Sequence, residues 1–195
     1  MAVVVLYDAC VLYPAPVRDL LLRIAATGLV RARWTDAILD ECFRSIQADR
    51  PELRADALAR TRALMNRAVP DCLVTGYEHL VEGLELPDPD DRHVLAAAIR
   101  AHAQAVITFN LRDFPDHVLA RYEMETKHPD EFVLEILDLA PGGVVQCVTA
   151  QAAALRHPPV ALADLLDTLR RVGLVQSAAR LRELLGPAVM RDRPA

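Results

Sequence analysis

Short apolar runs alternate with segments of helical periodicity along the N-terminal part of the chain. Residues 3–7 form a continuous apolar run rich in β-branched side chains, which is typical of a strand buried on both faces. Two prolines then suit the first turn of a helix whose apolar residues recur at helical spacing from 17 to 25. Thr35 is a favourable cap for a second helix, and Pro51 suits the start of a third.

The next stretch repeats this alternation. Residues 72–75 predict a short strand, and the Pro-Asp-Pro-Asp-Asp run at 87–91 predicts a loop that leads into a helix from about 92 to 103. Another strand is predicted at 105–109. Alternating strands and helices are typical of βαβ units, whose right-handed crossovers build a parallel sheet. The predicted fold class is therefore α/β with a parallel sheet.

The chain beyond residue 128 has a different character, because helical periodicity continues there without intervening strands. The predicted helices cover residues 132–139, 144–155, 162–172 and 175–185. They are separated at Gly142-Gly143, Pro158-Pro159 and Gly173. We therefore predict an α/β domain over residues 1–128 and a helical C-terminal extension over residues 129–195.

Composition narrows the classes of function. With 195 residues, of which 53% are hydrophobic, the chain can bury a sizeable core. Its formal charge of −5 disfavours a protein that coats nucleic acid nonspecifically. Six arginines between 44 and 67 nevertheless form a locally basic stretch, which serves either to contact phosphates or only as a solvated helix face.

Cysteine spacing and hydropathy exclude further classes. The four cysteines form no Cys-x-x-Cys pair and have no histidine at zinc-ligand spacing, so we expect neither a disulfide framework nor a zinc site. The apolar runs are too short or too interrupted by charge to span a membrane, and the N terminus does not resemble a signal peptide. We therefore expect a cytoplasmic protein that does not associate with membranes.

Acidic residues stand at the ends of predicted strands and at helix edges. Asp8 directly follows the first strand, and Asp113 follows the last one. Asp91 precedes the helix that begins near residue 92, and Glu41 lies in the second helix. A doubly wound α/β sheet brings the carboxyl ends of its strands to one edge, where carboxylates would repel each other unless they shared protons or held a cation. The pattern therefore predicts a Mg²⁺ or Mn²⁺ site and phosphate chemistry.

Some of these acids have competing explanations. Asp91 also suits a helix cap, which needs no metal, and Asp90 is the neighbouring alternative for the ligand. Glu41 has two aspartates nearby on the same helix as competitors. Asp8 is the strongest single candidate, because an acid that ends a buried strand is costly unless its charge is used.

Neutral and basic residues near these acids are secondary candidates. Asn110 supplies a neutral oxygen donor, and Thr108 either orients a ligand or water or is an ordinary buried strand threonine. Arg18 and Arg112 are candidates for contacts to substrate phosphates. His93 is expected at the surface or behind the ligands, because its spacing on a helix directs it away from the neighbouring acid and a hard cation does not need imidazole.

Three of these segments resemble a known family. Residues 6–12, Leu-Tyr-Asp-Ala-Cys-Val-Leu, resemble the opening strand of PIN-domain nucleases, in which the aspartate is the first metal ligand. Residues 91–98, Asp-Arg-His-Val-Leu-Ala-Ala-Ala, resemble the central aspartate of that family and its small-residue helix. Residues 108–114, Thr-Phe-Asn-Leu-Arg-Asp-Phe, are similar to the third motif. The order and spacing match over about residues 1–125, and the chain is similar to VapC-type ribonuclease toxins.

The resemblance implies a PIN-like α/β/α sandwich with a helical C-terminal extension. It implies metal ligands at Asp8, Asp91 and Asp113, and it selects Asp91 over the preceding aspartate by the distance to the small-residue helix face. Glu41 is implied as a further catalytic acid. Asn110 stands where the family has an acid, which makes Asp113 the charged ligand of that region and leaves the number of ions open.

The same resemblance implies a function. The chain is expected to be an endoribonuclease dependent on Mg²⁺ or Mn²⁺ that hydrolyses RNA to a 5′-phosphate and a 3′-hydroxyl. As the toxin of a toxin–antitoxin pair, it would be held inactive by a small antitoxin protein whose tail covers the acidic pocket. A homodimer is a further expectation.

Other functions compete with this one. Asp8 could accept a phosphoryl group, as in haloacid-dehalogenase phosphatases or response-regulator receivers. The first class needs an acid two residues later, where this chain has Cys10, and the second needs a lysine late in the sheet, whereas the only lysine is Lys127. A non-catalytic PIN-like module that binds RNA or protein, and a housekeeping RNA-processing nuclease, remain open alternatives.

Overall fold

The computed structural model describes residues 2–156 and 158–189. Within these residues a parallel sheet is formed by four strands, β1 (Val3–Tyr7), β2 (Val30–Arg33), β3 (Ala105–Ile107) and β4 (Glu125–Lys127). Their order across the sheet is β2-β1-β3-β4. The two central strands are apolar because helices and neighbouring strands cover them, and Leu6, Val106 and Ile107 are fully buried. The sheet and its helices confirm the predicted α/β fold class.

The strand register aligns the carboxyl ends of the strands. Tyr7, the last residue of β1, lies opposite Ile107, the last residue of β3. Ile107 in turn lies opposite Lys127, the last residue of β4. On the other side, Leu6 lies opposite Arg33, the last residue of β2. Residues that follow β1 and β3 in sequence are therefore brought to the same edge of the sheet.

Helices make up most of the remaining structure. In the part of the chain that the structure describes, the helices are α1 (Ala9–Leu12), α2 (Ala15–Ala26), α3 (Asp36–Asp49), α4 (Ala55–Ala68), α5 (Glu78–Val81), α6 (Arg92–Arg100), α7 (Asp116–Leu119), α8 (Pro129–Leu139), α9 (Pro141–Ala154), α10 (Leu162–Arg171) and α11 (Val175–Val189). Single 3-10 turns occupy Pro89–Asp91, Leu111–Asp113 and Ala120–Tyr122.

Contacts group the chain into two units. The first unit comprises Met1–Tyr13 and Val30–His128, and the second comprises Pro14–Leu29 and Pro129–Ala195. Helix α2 is therefore grouped with the C-terminal helices, whereas the division predicted from the sequence places it in the N-terminal domain. The domain boundary between residues 128 and 129 stays a prediction.

Local signals explain most of the element boundaries near the sheet edge. The Thr35 hydroxyl accepts a hydrogen bond of 3.0 Å from the Ile38 N–H, as predicted for the cap of α3. Helix α6 ends at Arg100, three residues before the predicted end, because His102 adopts a positive φ of 51° that stops the helix. Strand β3 ends at Ile107, so that Thr108 and Phe109 belong to the segment that leaves the sheet.

Three details of the prediction were wrong. Helix α4 begins at Ala55 and not at Pro51, because the residues between them form a turn. The predicted strand at 72–75 makes only a single parallel bridge, between Trp34 and Leu73. Gly142 and Gly143 do not separate two helices but lie in the first turn of α9, since Pro141 begins that helix.

The second unit is a group of helices in which a buried carboxylate caps a helix. Asp130 on α8 accepts hydrogen bonds of 2.8 Å from the N–H groups of Gln176 and Ser177 at the start of α11. The Ser177 hydroxyl donates to the Asp130 carbonyl at 2.9 Å. A negative charge at this position satisfies free N–H groups and interacts favourably with the helix dipole.

None of the described helices combines the length and the apolar character that a membrane span requires.

Candidate active site

Asp8 lies where β1 ends and α1 begins. Its N–H donates to the Ile107 carbonyl at 3.1 Å, which continues the pairing of β1 with β3 by one residue. Its Oδ1 accepts a hydrogen bond of 2.6 Å from the Ala9 N–H and so caps α1. The side chain is buried, with 4% of its surface exposed. The chain therefore holds a carboxylate in a fixed position at the carboxyl edge of the sheet.

Two neighbouring side chains fix the second oxygen of Asp8. The Thr108 hydroxyl donates to Asp8 Oδ2 at 2.7 Å, and the Cys10 thiol donates to the same atom at 3.1 Å. Cys10 Sγ also accepts the Phe109 N–H at 3.2 Å, and Thr108 Oγ1 accepts the Asn110 N–H at 2.9 Å. The ends of β1 and β3 are thus connected through Asp8.

Burial dominates the electrostatics of Asp8. It raises the pKa of the carboxyl above its ordinary value, and the hydrogen bonds from Thr108, Cys10 and Ala9 oppose it only in part. The charge of Glu41 raises the pKa further. Sequence reasoning missed the role of Cys10, because a cysteine three residues after a strand is indistinguishable from a buried apolar residue.

Asp91 is not used as a helix cap. It occupies the residue before α6, but its side chain makes no capping hydrogen bond; Asp88 instead accepts the Asp90 N–H at 2.9 Å in the preceding turn. Asp91 is half-buried, whereas Asp90 is exposed. The alternative of a purely structural cap is therefore not supported by the contacts of Asp91.

The pKa of Asp91 reports on its acidic surroundings. Burial raises it from 3.8 to about 7, together with the charges of Asp8, Asp113, Asp88 and Glu41 in that order. These residues come from segments that are far apart in the sequence. The fold therefore brings four of the predicted acids within electrostatic range of one another, and it adds Asp88.

The three acids on α3 have different contact partners. Arg62 on α4 forms ion pairs with Asp36, at 2.6 Å, and with Asp40. Glu41 instead has Oε2 at 3.7 Å from His93 Nε2 of α6. This contact distinguishes Glu41 from the two aspartates, which share an ion pair with Arg62.

His93 contacts one of the predicted acids. It was predicted at the surface or behind the ligands, and it is half-buried beside Glu41. Its Nδ1 atom is buried and has no hydrogen-bond partner among the described residues. The sequence had no signal for this contact, because His93 and Glu41 lie on different helices.

The remaining predicted site residues lie in different parts of the structure. Asp113 is half-buried in the 3-10 turn after β3 and lies close enough to Asp91 to raise its pKa. Asn110 precedes that turn and Arg112 lies within it, and both are exposed. Arg18 lies on α2, in the second unit, and its predicted contact with a phosphate stays a prediction.

The locally basic stretch is partly neutralised. Arg50 pairs with Glu52, Arg54 pairs with Asp56 at 2.7 Å, and Arg62 pairs with acids of α3. Half of its six arginines are therefore engaged by carboxylates. This pairing favours the interpretation of the stretch as a solvent-exposed helix face over its interpretation as a phosphate-binding surface.

The acids match the chemistry of a hard divalent cation but do not converge on one point. Carboxylate and amide oxygens are the ligands that Mg²⁺ and Mn²⁺ prefer. Their mutual repulsion, visible in the raised pKa of Asp91, would be relieved by a cation. Among the described residues, however, no group of three or more His, Cys, Asp or Glu side chains is placed to hold a single metal ion. The donor set fits such an ion, and some carboxylates would have to change rotamer to share it.

Comparison with known proteins identifies the family. A PIN domain model matches residues 4–112, and a model of the VapC50 C-terminal domain matches residues 129–183. The putative ribonuclease VapC50 of Mycobacterium tuberculosis (strain ATCC 25618 / H37Rv) is 38% identical over 109 residues, which are 56% of this chain and 63% of that protein. The match thus spans less than two thirds of the length of that relative. No solved structure matches. Because the PIN domain model covers more than half of the chain, the chain belongs to the PIN domain family.

Proposed function

We propose that this chain is a divalent-metal-dependent endoribonuclease that hydrolyses RNA phosphodiester bonds and acts as the toxin of a toxin–antitoxin pair. The observation that carries the proposal is the buried Asp8 carboxylate at the carboxyl edge of the sheet, which Thr108 and Cys10 hold in place. Its charge and those of Asp113, Asp88 and Glu41 add to the effect of burial in raising the pKa of Asp91. Acids from separate segments are grouped at the sheet edge, where α/β proteins bind ligands. The similarity to a putative ribonuclease supports the same conclusion.

Asp8, Asp91 and Asp113 would hold Mg²⁺ or Mn²⁺. Such an ion, when bound, activates water as a nucleophile and stabilises negative charge on a phosphodiester. Hydrogen bonds from Thr108 and Cys10 keep the Asp8 carboxylate in one orientation for this purpose.

Glu41 has a different role in the proposal. Its carboxylate is half-exposed, and we assign it the proton of the attacking water, with His93 Nε2 at 3.7 Å to hold its orientation. Arg112 is exposed beside Asp113 and is assigned a contact to a substrate phosphate. The products would be a 5′-phosphate and a 3′-hydroxyl.

The biological setting follows from the same proposal. A small antitoxin protein would cover the acidic pocket, and the toxin would act in the cytoplasm. A homodimer belongs to the proposal as well.

Cleavage of a mixed RNA pool tests the activity. Purified protein is assayed with Mg²⁺, Mn²⁺ or EDTA, beside Asp8→Asn and a control, Asp138→Asn. Asp138 is exposed on α8, and its side chain has no hydrogen bond or ion pair with a described residue. We expect cleavage that needs the metal, is lost in Asp8→Asn and is retained in the control. Equal inertness of all three proteins with every metal, after removal of any co-purified inhibitor, would favour the non-catalytic binding module.

A further inference from the structure

A cleft lies between two segments that each adjoin an acidic residue of the candidate site in sequence. It has a volume of about 230 Å³ and lies between residues 85–87 and the segment from Pro115 to Arg121, which includes α7. Clefts for drug-sized ligands measure about 300–1,000 Å³. A volume below that range suits a single ring system.

Both walls of the cleft are continuous with the acidic segments of the site. Pro87 directly precedes Asp88, whose charge contributes to the raised pKa of Asp91. Pro115 follows Asp113 by two residues. Consecutive Cα atoms are about 3.8 Å apart. The nearest residue of each wall, Pro87 or Pro115, therefore lies within about 8 Å along the chain of an acidic residue of the site. A polymer with one phosphate at the acids would therefore place a neighbouring unit at this cleft.

The walls combine apolar surface with polar groups at the rim. Leu86, Pro87, Pro115 and Val118 supply aliphatic and ring surface. Flat nucleobases present apolar faces that pack against such surface, and they expose hydrogen-bonding groups only along their edges. The composition of the walls therefore fits the two kinds of surface of a base.

Three polar side chains at the rim are free to bind a ligand. Glu85, His117 and Arg121 line the cleft and are exposed. None of them has a hydrogen bond or an ion pair with any residue in 2–156 or 158–189. By contrast, Arg50, Arg54 and other arginines elsewhere are paired with acids. An unpaired guanidinium beside an apolar cleft is suited to a phosphate, and a free carboxylate is suited to an amino group.

We propose that this cleft holds the base of the RNA nucleotide next to the cleaved phosphodiester. Arg121 binds the phosphate of that nucleotide, and Glu85 accepts a hydrogen bond from the amino group of the base. Adenine, cytosine and guanine carry such an amino group and uracil does not, so the cleft selects against uridine at this position. This inference rests on the proposed ribonuclease function and names a substrate contact for it.

RNA binding without cleavage tests the inference. Fluorescent single-stranded oligonucleotides of cytidine, adenosine or uridine are titrated with Ca²⁺ in place of Mg²⁺ or Mn²⁺, so that the acids hold a cation, and anisotropy gives the dissociation constants over a range of salt concentrations. Arg121→Ala should weaken binding of every sequence about 5-fold and lower the salt slope by about 1. Glu85→Gln should reduce the preference for cytidine or adenosine over uridine from about 5-fold to near 1.

The matched control is Arg31→Ala, which removes the same charge. Arg31 is exposed in β2 and pairs in register with Val4, near the amino end of the sheet. It should bind RNA as the wild type does. Circular dichroism of each variant checks that the fold is kept.

The outcomes separate this inference from the proposed function. If the wild type cleaves RNA with Mn²⁺ but Arg121→Ala and Glu85→Gln bind like the control, the inference is overturned and the nuclease stands. If the wild type binds RNA with the expected effects of both variants yet does not cleave, the cleft is supported and the activity is not. If the wild type neither binds nor cleaves RNA, both are overturned.

Discussion

Replacing Asp91 with asparagine should stabilise the protein in the absence of metal, although it should destroy the proposed site. The pKa of Asp91 rises from 3.8 to about 7, chiefly by burial and then by the charges of Asp8 and Asp113. One pKa unit corresponds to about 1.4 kcal/mol, so ionising this carboxyl in the folded protein costs about 4 kcal/mol before screening. Because Asp91 is only half-buried, solvent screening reduces the expected effect to about 2 kcal/mol.

The sign of the pH dependence follows from proton linkage. A carboxyl with a raised pKa holds its proton longer in the folded state than in the unfolded state. Between pH 3.8 and about 7 the folded state of Asp91 therefore binds more protons, and stability falls as the pH rises through this window. The gain from Asp91→Asn should be largest above pH 7 and should vanish near pH 4. The asparagine loses no capping hydrogen bond, because Asp91 makes none.

Thermal unfolding in EDTA at several pH values measures this effect. At pH 8, a gain of about 2 kcal/mol raises the Tm of a protein of this size by about 4 to 8 °C. Asp90→Asn is the comparison, since it makes the same change one residue away on an exposed side chain, and it should change stability by less than about 0.5 kcal/mol. An Asp91→Asn variant that is no more stable than wild type at pH 8, or whose gain does not depend on pH, would refute the reasoning.

Three further changes have defined outcomes. Thr108→Val removes the hydroxyl that donates to Asp8 at 2.7 Å and should cost about 1–3 kcal/mol in urea unfolding, because a buried carboxylate loses a partner; an unchanged midpoint would show that the bond has no energetic role. Asp130→Ala leaves two N–H groups of α11 without their acceptor and should cost about 2 kcal/mol, measured in the same way, whereas equal stability would contradict the capping role. Glu41→Gln should slow RNA cleavage about 100-fold in single-turnover assays. Asp40→Asn, which removes an acid already paired with Arg62, should stay within about 2-fold of wild type, and equal rates for the two variants would contradict the choice of Glu41.

The strand-end acids could be predicted because parallel strands share an edge. The apolar run of β1 gave the position of Asp8, and the segment after β3 gave Asp113, so topology alone was enough to group them. The C-terminal helices could be predicted as well, because helical periodicity is a property of the local sequence and does not depend on tertiary contacts.

Other features were invisible because they depend on contacts between distant segments. Strand β4 has only three residues, Glu125–Lys127, and its polar composition gives no strand signal; pairing with β3 creates it. The contact of His93 with Glu41 requires α3 and α6 to meet, and the bond from the Phe109 N–H to Cys10 Sγ requires the ends of β1 and β3 to lie side by side. Composition and spacing carry no information about such pairs.

Direct titration with Mn²⁺ tests the central claim that the acids at the sheet edge form a divalent metal site. Electron paramagnetic resonance of free Mn²⁺ gives the affinity of the wild type, Asp8→Asn, Asp91→Asn and the control Asp138→Asn, without any need for RNA. We expect the wild type and the control to bind Mn²⁺, and we expect the affinity of both site variants to be at least about 10-fold lower. Equal affinity in all four proteins, or no binding by the folded wild type, would contradict it.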